Sequence, residues 1–168
     1  MITVLDRGYP RSFTFDDMLA YHGPDAPGGV AHAVKVMERT FPPLSPEAPL
    51  ERRELAVRAS FGGRGLRDAF ELVTRAVTEN RYSADAAHGT AFEDLGHRRG
   101  YVFRLGYRDR SVICVLRDGI VREEFLTLAR KEAGARTRDE QIHLNWLKEE
   151  MASRIMKLHA TAVYDVVD

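Results

Sequence analysis

Apolar residues recur along this chain with two periods, three-to-four and two, and the switches between them mark its elements. In "PGGVAHAVKVMER", Val30, Ala33, Val34 and Met37 fall on one face at helical spacing. The pattern predicts a helix from Pro27 to Arg39, with His32, Lys35 and Arg39 together on the opposite, polar face. A shorter helix over residues 15–21 precedes it. Thr14 followed by Asp17 forms a capping box with Asp in the usual Glu place, and Gly23 ends the helix. Residues 1–13 read as an extended arm. "ELAVRASF" alternates, with Leu55, Val57, Ala59 and Phe61 on one side and Ala56, Arg58 and Ser60 on the other, which predicts a strand. Beyond "GGRG", Leu66, Ala69, Phe70, Val73 and Val77 make the buried stripe of a third helix, with Glu71 and Arg75 paired outside it.

In the second half, "YVFRLGY" and "SVICVLRD" read as two strands joined by a tight turn at "RDR". The second is apolar on both faces, so it is expected at the centre of a sheet covered on both sides. A fourth helix is expected over residues 121–131. A second capping box, Thr137 with Glu140, opens a long last helix striped by Leu144, Leu147, Met151, Ile155 and Leu158. The tail "ATAVYDVVD" adds a short edge strand. "FPPLSPEAP" interrupts the second helix pattern with four prolines, but the segment ahead of it is too short to hold a core of its own. The chain is therefore read as a single domain over residues 1–168. Its strands and helices do not alternate strictly, which makes it α+β, a mainly antiparallel sheet packed with about five helices.

Composition narrows the function. The 168 residues are 44% apolar and 30% charged, ordinary values for a soluble globular protein. Lys and Arg number 25 and so do Asp and Glu, so the basic surplus on which phosphate-backbone binding rests is missing, and no nucleic-acid partner is expected. Near-zero net charge favours self-association, and Trp146 on the last helix suits contact with a second copy, so a homodimer is expected. Cys114 is the single cysteine, which excludes an intrachain disulfide and a cysteine zinc cluster and fits a reducing cytoplasm. No apolar run approaches the roughly 18–20 residues of a membrane helix, and the first residues do not form a signal peptide.

The densest chemistry lies in "YHGPDAPGG". Pro24 and Pro27 restrict the turn, while Gly23, Gly28 and Gly29 allow close approach of backbone or ligand. The helix that follows begins with free N–H groups that suit an anion. His22 and Asp25 flank that point, and His32 and His97 can border the same cavity, making these four the candidate acid–base residues. Tyr21, Gly28, Gly29 and Arg64 are the candidate substrate-binding residues, Arg64 as a bidentate grip on an anion. Plainer readings stand beside these: Asp25 as a helix cap, His22 bonded to a carbonyl, His32 on a solvated face, and the glycines of "GGRG" permitting close packing. Cys114, inside an apolar strand, reads as a structural thiol.

Three blocks of the sequence resemble the E-subunit family of formylmethanofuran dehydrogenase. "YHGPDAPGGVAHAVKVM" is similar to the family's opening His-Gly motif through His22, Gly23, Pro27 and Gly28. "RDAFELVT" resembles its Asp-Ala segment through Asp68, Ala69 and Thr74, and "EDLGHRRGYVFRL" its Asp-x-Gly-Lys segment through Asp94 and Gly96. The departures are as clear: Pro24, Ala26, Gly65, Ala76 and His97 stand where the family has histidine, cysteines and lysine. The resemblance implies a small α+β protein, often dimeric, with a metal held by motif His and Cys. Only His22 carries over as a metal ligand, and loss of the thiolates weakens affinity for a soft metal.

The expectation is a small enzyme or enzyme-like pocket protein that acts on a small, anionic metabolite by histidine acid–base chemistry, with or without a divalent, zinc-like metal. The alternatives are a non-catalytic accessory subunit of a larger enzyme and a non-covalent haem binder with one histidine as axial ligand.

Overall fold

The computed structural model describes residues 1–90 and 101–167. The chain opens with a hairpin, β1 (Ile2–Asp6) and β2 (Tyr9–Phe13), paired antiparallel as a sheet of its own. Its turn places Arg7 and Gly8 at positive φ, 53° and 83°, the geometry of a two-residue turn whose twist matches the strands. Both carboxylate oxygens of Glu51 accept from the turn, from Arg7 N at 3.0 Å and Gly8 N at 3.1 Å. The extended arm expected over residues 1–13 is thus a folded hairpin that buries Ile2 and Val4. The alternation of this short stretch carries no Asn-Gly or Asp-Gly turn signal.

Helix α1 (Phe15–His22) is opened by the predicted capping box: Asp17 N donates to Thr14 Oγ1 and Thr14 N to Asp17 Oδ2. Gly23, at φ 89°, ends it. Helix α2 (Pro27–Leu44) is longer than its pattern predicts, because Pro42 and Pro43 fall in the last turn and Ser45 N still reaches Phe41 O at 3.0 Å. It is the axis of the fold. Its apolar residues Val30, Ala33, Val34, Val36, Met37 and Phe41 are buried, and so are His32 and Lys35 on the face read as polar. A helix covered all round has no solvated face for a polar stripe to occupy.

Strand β3 (Leu55–Ala59) shows the alternating burial its sequence predicts. Helix α3 (Arg64–Thr74) follows and ends at Arg75 in the left-handed region. Val77 therefore lies beyond the helix rather than on its stripe. Strand β4 (Tyr82–Ala84) pairs parallel to β3, and α4 (Ala87–Thr90) follows. Strands β5 (Val102–Tyr107) and β6 (Arg110–Leu116) form the predicted hairpin. Helix α5 (Glu123–Arg130) leads to α6 (Arg138–Lys157), opened by the Thr137–Glu140 capping box, then α7 (Ala160–Val163) and the edge strand β7 (Tyr164–Val167). Five of the seven α-helices among the described residues have eight residues or more.

The sheet runs β4-β3-β5-β6-β7, antiparallel throughout except for β3 and β4. The architecture is α+β. The centre is β5 rather than β6. Val112 and Ile113 of β6 are half-buried, and only Cys114, Val115 and Leu116 are fully enclosed. Helix α2 lies across the sheet, with α1, α3 and α6 against its other sides. One core cluster joins the hairpin, α1, α2, α3, the sheet and the second half of α6, and a small separate cluster of Leu128, Leu144 and Leu147 joins α5 to the start of α6. No helix among the described residues is long and apolar enough to cross a membrane.

The loop after α3 is tied by a buried carboxylate. Glu71 Oε2 accepts from Val77 N at 2.8 Å and Thr78 N at 3.0 Å, while Oε1 takes the Thr78 hydroxyl and lies 3.2 Å from Arg75 Nη1. The Glu71–Arg75 pair, expected outside the buried stripe, is thus half buried: Glu71 is enclosed and Arg75 is partly exposed. Glu71→Gln removes the charge and replaces an acceptor by a donor, so we expect a loss of about 2 kcal/mol in urea unfolding.

Candidate functional site

His22 closes the last turn of α1 and points at α3. Its Nδ1 lies 2.8 Å from Asp68 Oδ2, and its side chain is 4% exposed. A carboxylate only accepts, so Nδ1–H donates to it, and in the neutral ring Nε2 carries the lone pair. That Nε2 is buried without a hydrogen-bond partner. Asp68 sits one turn into α3, and its other oxygen, Oδ1, lies 3.4 Å from Arg67 Nη1. Arg67 also carries its charge toward Tyr82, whose hydroxyl is buried without a partner and pushed up to about 12 by desolvation. The junction of α1 and α3 thus gathers an imidazole, a carboxylate, a guanidinium and, on the strand beyond, a phenol.

The sequence marks His22 as a site residue. It places Asp68 only within the Asp-Ala motif and gives no hint that the two residues, 46 positions apart, share a hydrogen bond. Arg67 and Tyr82 carry no sequence signal at all.

The other candidates are placed differently. Asp25 is not the cap of α2: the cap position is Ala26, which makes no side-chain hydrogen bond. The Asp25 carboxylate is 75% exposed and lies 3.9 Å from Arg64 Nη1, itself 83% exposed, an open pair that adds little to stability. Asp25 O accepts from Lys148 Nζ at 3.0 Å. Tyr21 is half exposed.

The close approach that the sequence reserves for a ligand at Gly28 and Gly29 is made by protein. A Cβ on Gly29 would stand 2.9 Å from Leu66 N, and one on Gly28 would overlap the Met151 thioether methyl. Gly65 faces the Ala26 carbonyl in the same way from the other side. These glycines let α2, α3 and α6 meet at backbone distance, and the start of α2 is filled rather than open.

His32 does not lie on a solvated face. It is 1% exposed, shares a 2.7 Å hydrogen bond between Nδ1 and Tyr164 Oη, and has the Tyr101 ring 4.8 Å away centre to centre. Burial, with the Arg154 charge nearby, pushes it down to about 3. It is a neutral core imidazole. It meets β7 and the start of β5, whereas His22 meets α3, so the structure does not join the two in one hydrogen-bonded group. His97 lies outside the described residues. Cys114 is buried and its thiol is pushed well up by desolvation, as a structural cysteine should be.

Among the described residues no group of three or more His, Cys, Asp or Glu is placed to hold a metal ion. The donor set does not fit one either: His22 Nδ1 is engaged by Asp68, and Ala26 and Gly65 offer no side-chain ligand. For a haem, Nε2 of both His22 and His32 is enclosed by protein.

Compared with known proteins, the chain matches no family model and no curated protein. The family resemblance rests on its three motif blocks alone.

Proposed function

We propose that this protein performs acid–base chemistry on a small anionic metabolite, with His22 Nε2 as the atom that takes and returns the proton. Asp68 is its positioning partner: it fixes the ring's tautomer and orientation and stabilises the imidazolium formed when Nε2 is protonated. Arg64 and Arg67, half or more exposed at the start of α3, draw the anion to the site.

The observation that carries this reading is a carboxylate-clamped imidazole whose second nitrogen is buried and partnerless. An orphan polar atom of this kind costs about 1–3 kcal/mol, a cost that a ligand or reacting group offsets. Access to Nε2 comes with movement of the last turn of α1. That helix has eight residues, buries only Met18 fully and ends at Gly23, so it is the least anchored of the elements around the pair.

The test is C–H exchange in deuterated water, followed by proton NMR, over a panel of 2-oxo acids, 2-hydroxy acids and phosphate monoesters. We expect exchange with at least one class, its loss in His22→Gln, and a reduction of about 10²–10⁴-fold in Asp68→Asn. Arg64→Gln should raise the half-saturating concentration and leave the maximal rate nearly unchanged. Exchange that proceeds equally well in His22→Gln, or is absent across the panel, removes this reading.

A further inference from the structure

A second set of charges lies on the far half of α2, apart from the His22–Asp68 pair. Lys35 and Arg39 follow His32 on one helical face and border a groove of about 470 Å³ between α2 and the corner where α6 turns into α7. Its volume is that of a small-molecule site, within the range of about 300–1,000 Å³. Pro42, Pro43 and Leu158 give it apolar walls, and His159 stands at the rim.

Of the two cations at this groove, Lys35 is paired with Glu38, whose carboxylate also lines it, and Arg39 is not paired. Lys35 is 4% exposed, unusual for a lysine, and its Nζ lies 2.8 Å from Glu38 Oε2. Arg39 donates from Nε to the Tyr164 carbonyl at 3.1 Å, which fixes the guanidinium plane. Among the described residues its two terminal nitrogens have no acceptor, and no carboxylate pairs with it. Lys35, Arg39 and Glu38 together leave one positive charge, carried by the planar fork suited to bidentate binding of a carboxylate or phosphate.

We propose that this groove binds a small anion carried on an apolar body, with Arg39 gripping the carboxylate or phosphate, and Pro42, Pro43 and Leu158 packing against the rest. The site does not depend on the chemistry proposed for His22. Tyr164 connects the groove to the core, since its carbonyl orients Arg39 while its hydroxyl bonds His32.

Titration of the ¹⁵N-labelled protein with phenyl phosphate and, separately, benzoate tests this, with sodium chloride at matched ionic strength as the control. The expected result is saturable shifts at the amides of Leu158 to Thr161 and at Arg39 Nε–H, at millimolar probe. The probe that saturates first shows whether phosphate or carboxylate is the preferred head group. Arg39→Gln should weaken binding by about tenfold or more. Because that variant also loses a bond to β7, Thr161→Glu is the companion. Thr161 is exposed on the groove wall, and a carboxylate there should repel the probe equally well while leaving the thermal midpoint unchanged. Binding at full strength in both variants, shifts confined to the start of α3, or no saturation beyond the sodium chloride control overturns the proposal.

Discussion

Gly65→Ala will destabilise the protein by about 3 kcal/mol or more, while Gly28→Ala, one helix away, will change it by less than about 1 kcal/mol. Gly65 faces the start of α2 and Gly28 faces α6, and the obstacles differ. A Cβ on Gly65 meets the Ala26 carbonyl oxygen and stands 3.2 Å from both the Ala26 Cβ and Val30 N. Those are mostly backbone atoms in the first turn of α2, and they cannot give way without separating α2 from α3. That movement would open the core around Val30, Leu66 and Ala69, all fully buried. On Gly28 the added methyl meets the end of the Met151 side chain, a flexible thioether that can turn aside. The gain of roughly 0.8–1 kcal/mol from replacing a helical glycine by alanine offsets part of that shift. Urea unfolding followed by circular dichroism measures both. Equal, small effects would mean that α2 and α3 do not meet at backbone distance, and the glycines would again be available to a ligand.

Stability will fall steeply between pH 6.5 and about pH 3 because of His32. The sign follows from where the proton goes. In the unfolded chain the ring titrates near 6.5, whereas in the fold burial holds it down to about 3. Above pH 6.5 both states are neutral and nothing is lost. Below it the unfolded chain takes up a proton the fold refuses, and each pH unit costs about 1.4 kcal/mol, to a total of about 4–5 kcal/mol across the window. His88, also pushed down mainly by desolvation, adds in the same direction. Carboxylates held low by their partners, such as Asp17 through Thr14 and Glu79 through Arg81, add only below their unfolded values near 4. The interval from pH 6.5 to 4.5 therefore isolates the histidines, and His32→Gln, which keeps a partner for Tyr164, isolates His32. Urea midpoints at several pH values should show the wild type falling faster than the variant. Parallel curves would place His32 in contact with water.

The contrast between these residues shows what the sequence discloses. Elements whose signals are local were legible: both capping boxes, the stripe of α6, the β5–β6 hairpin and the edge strand all form as their residues predict. What depended on partners far along the chain was not. The face of α2 bearing His32, Lys35 and Arg39 reads as solvated because three polar residues at helical spacing usually are. Here Tyr164, 132 positions from His32, supplies the hydroxyl and carbonyl that let the face be buried. His22 was legible as a residue of interest, but its partner Asp68 was legible only as part of a motif. The pair exists because α1 packs against α3, and no local pattern encodes that contact. Strand β4 has three residues and pairs in parallel, too short for alternation to register.

Asp68 holds His22 with a free lone pair on Nε2, and long-range ¹H–¹⁵N correlation of the histidine side chains tests this without knowledge of a substrate. At a pH where the ring is neutral, His22 should carry its proton on Nδ1, Nε2 should resonate as an unprotonated nitrogen, and Asp68→Asn should disturb this arrangement while His32→Gln should not. A His22 ring protonated at Nε2, or one exchanging between both tautomers as a ring free in water does, would contradict it.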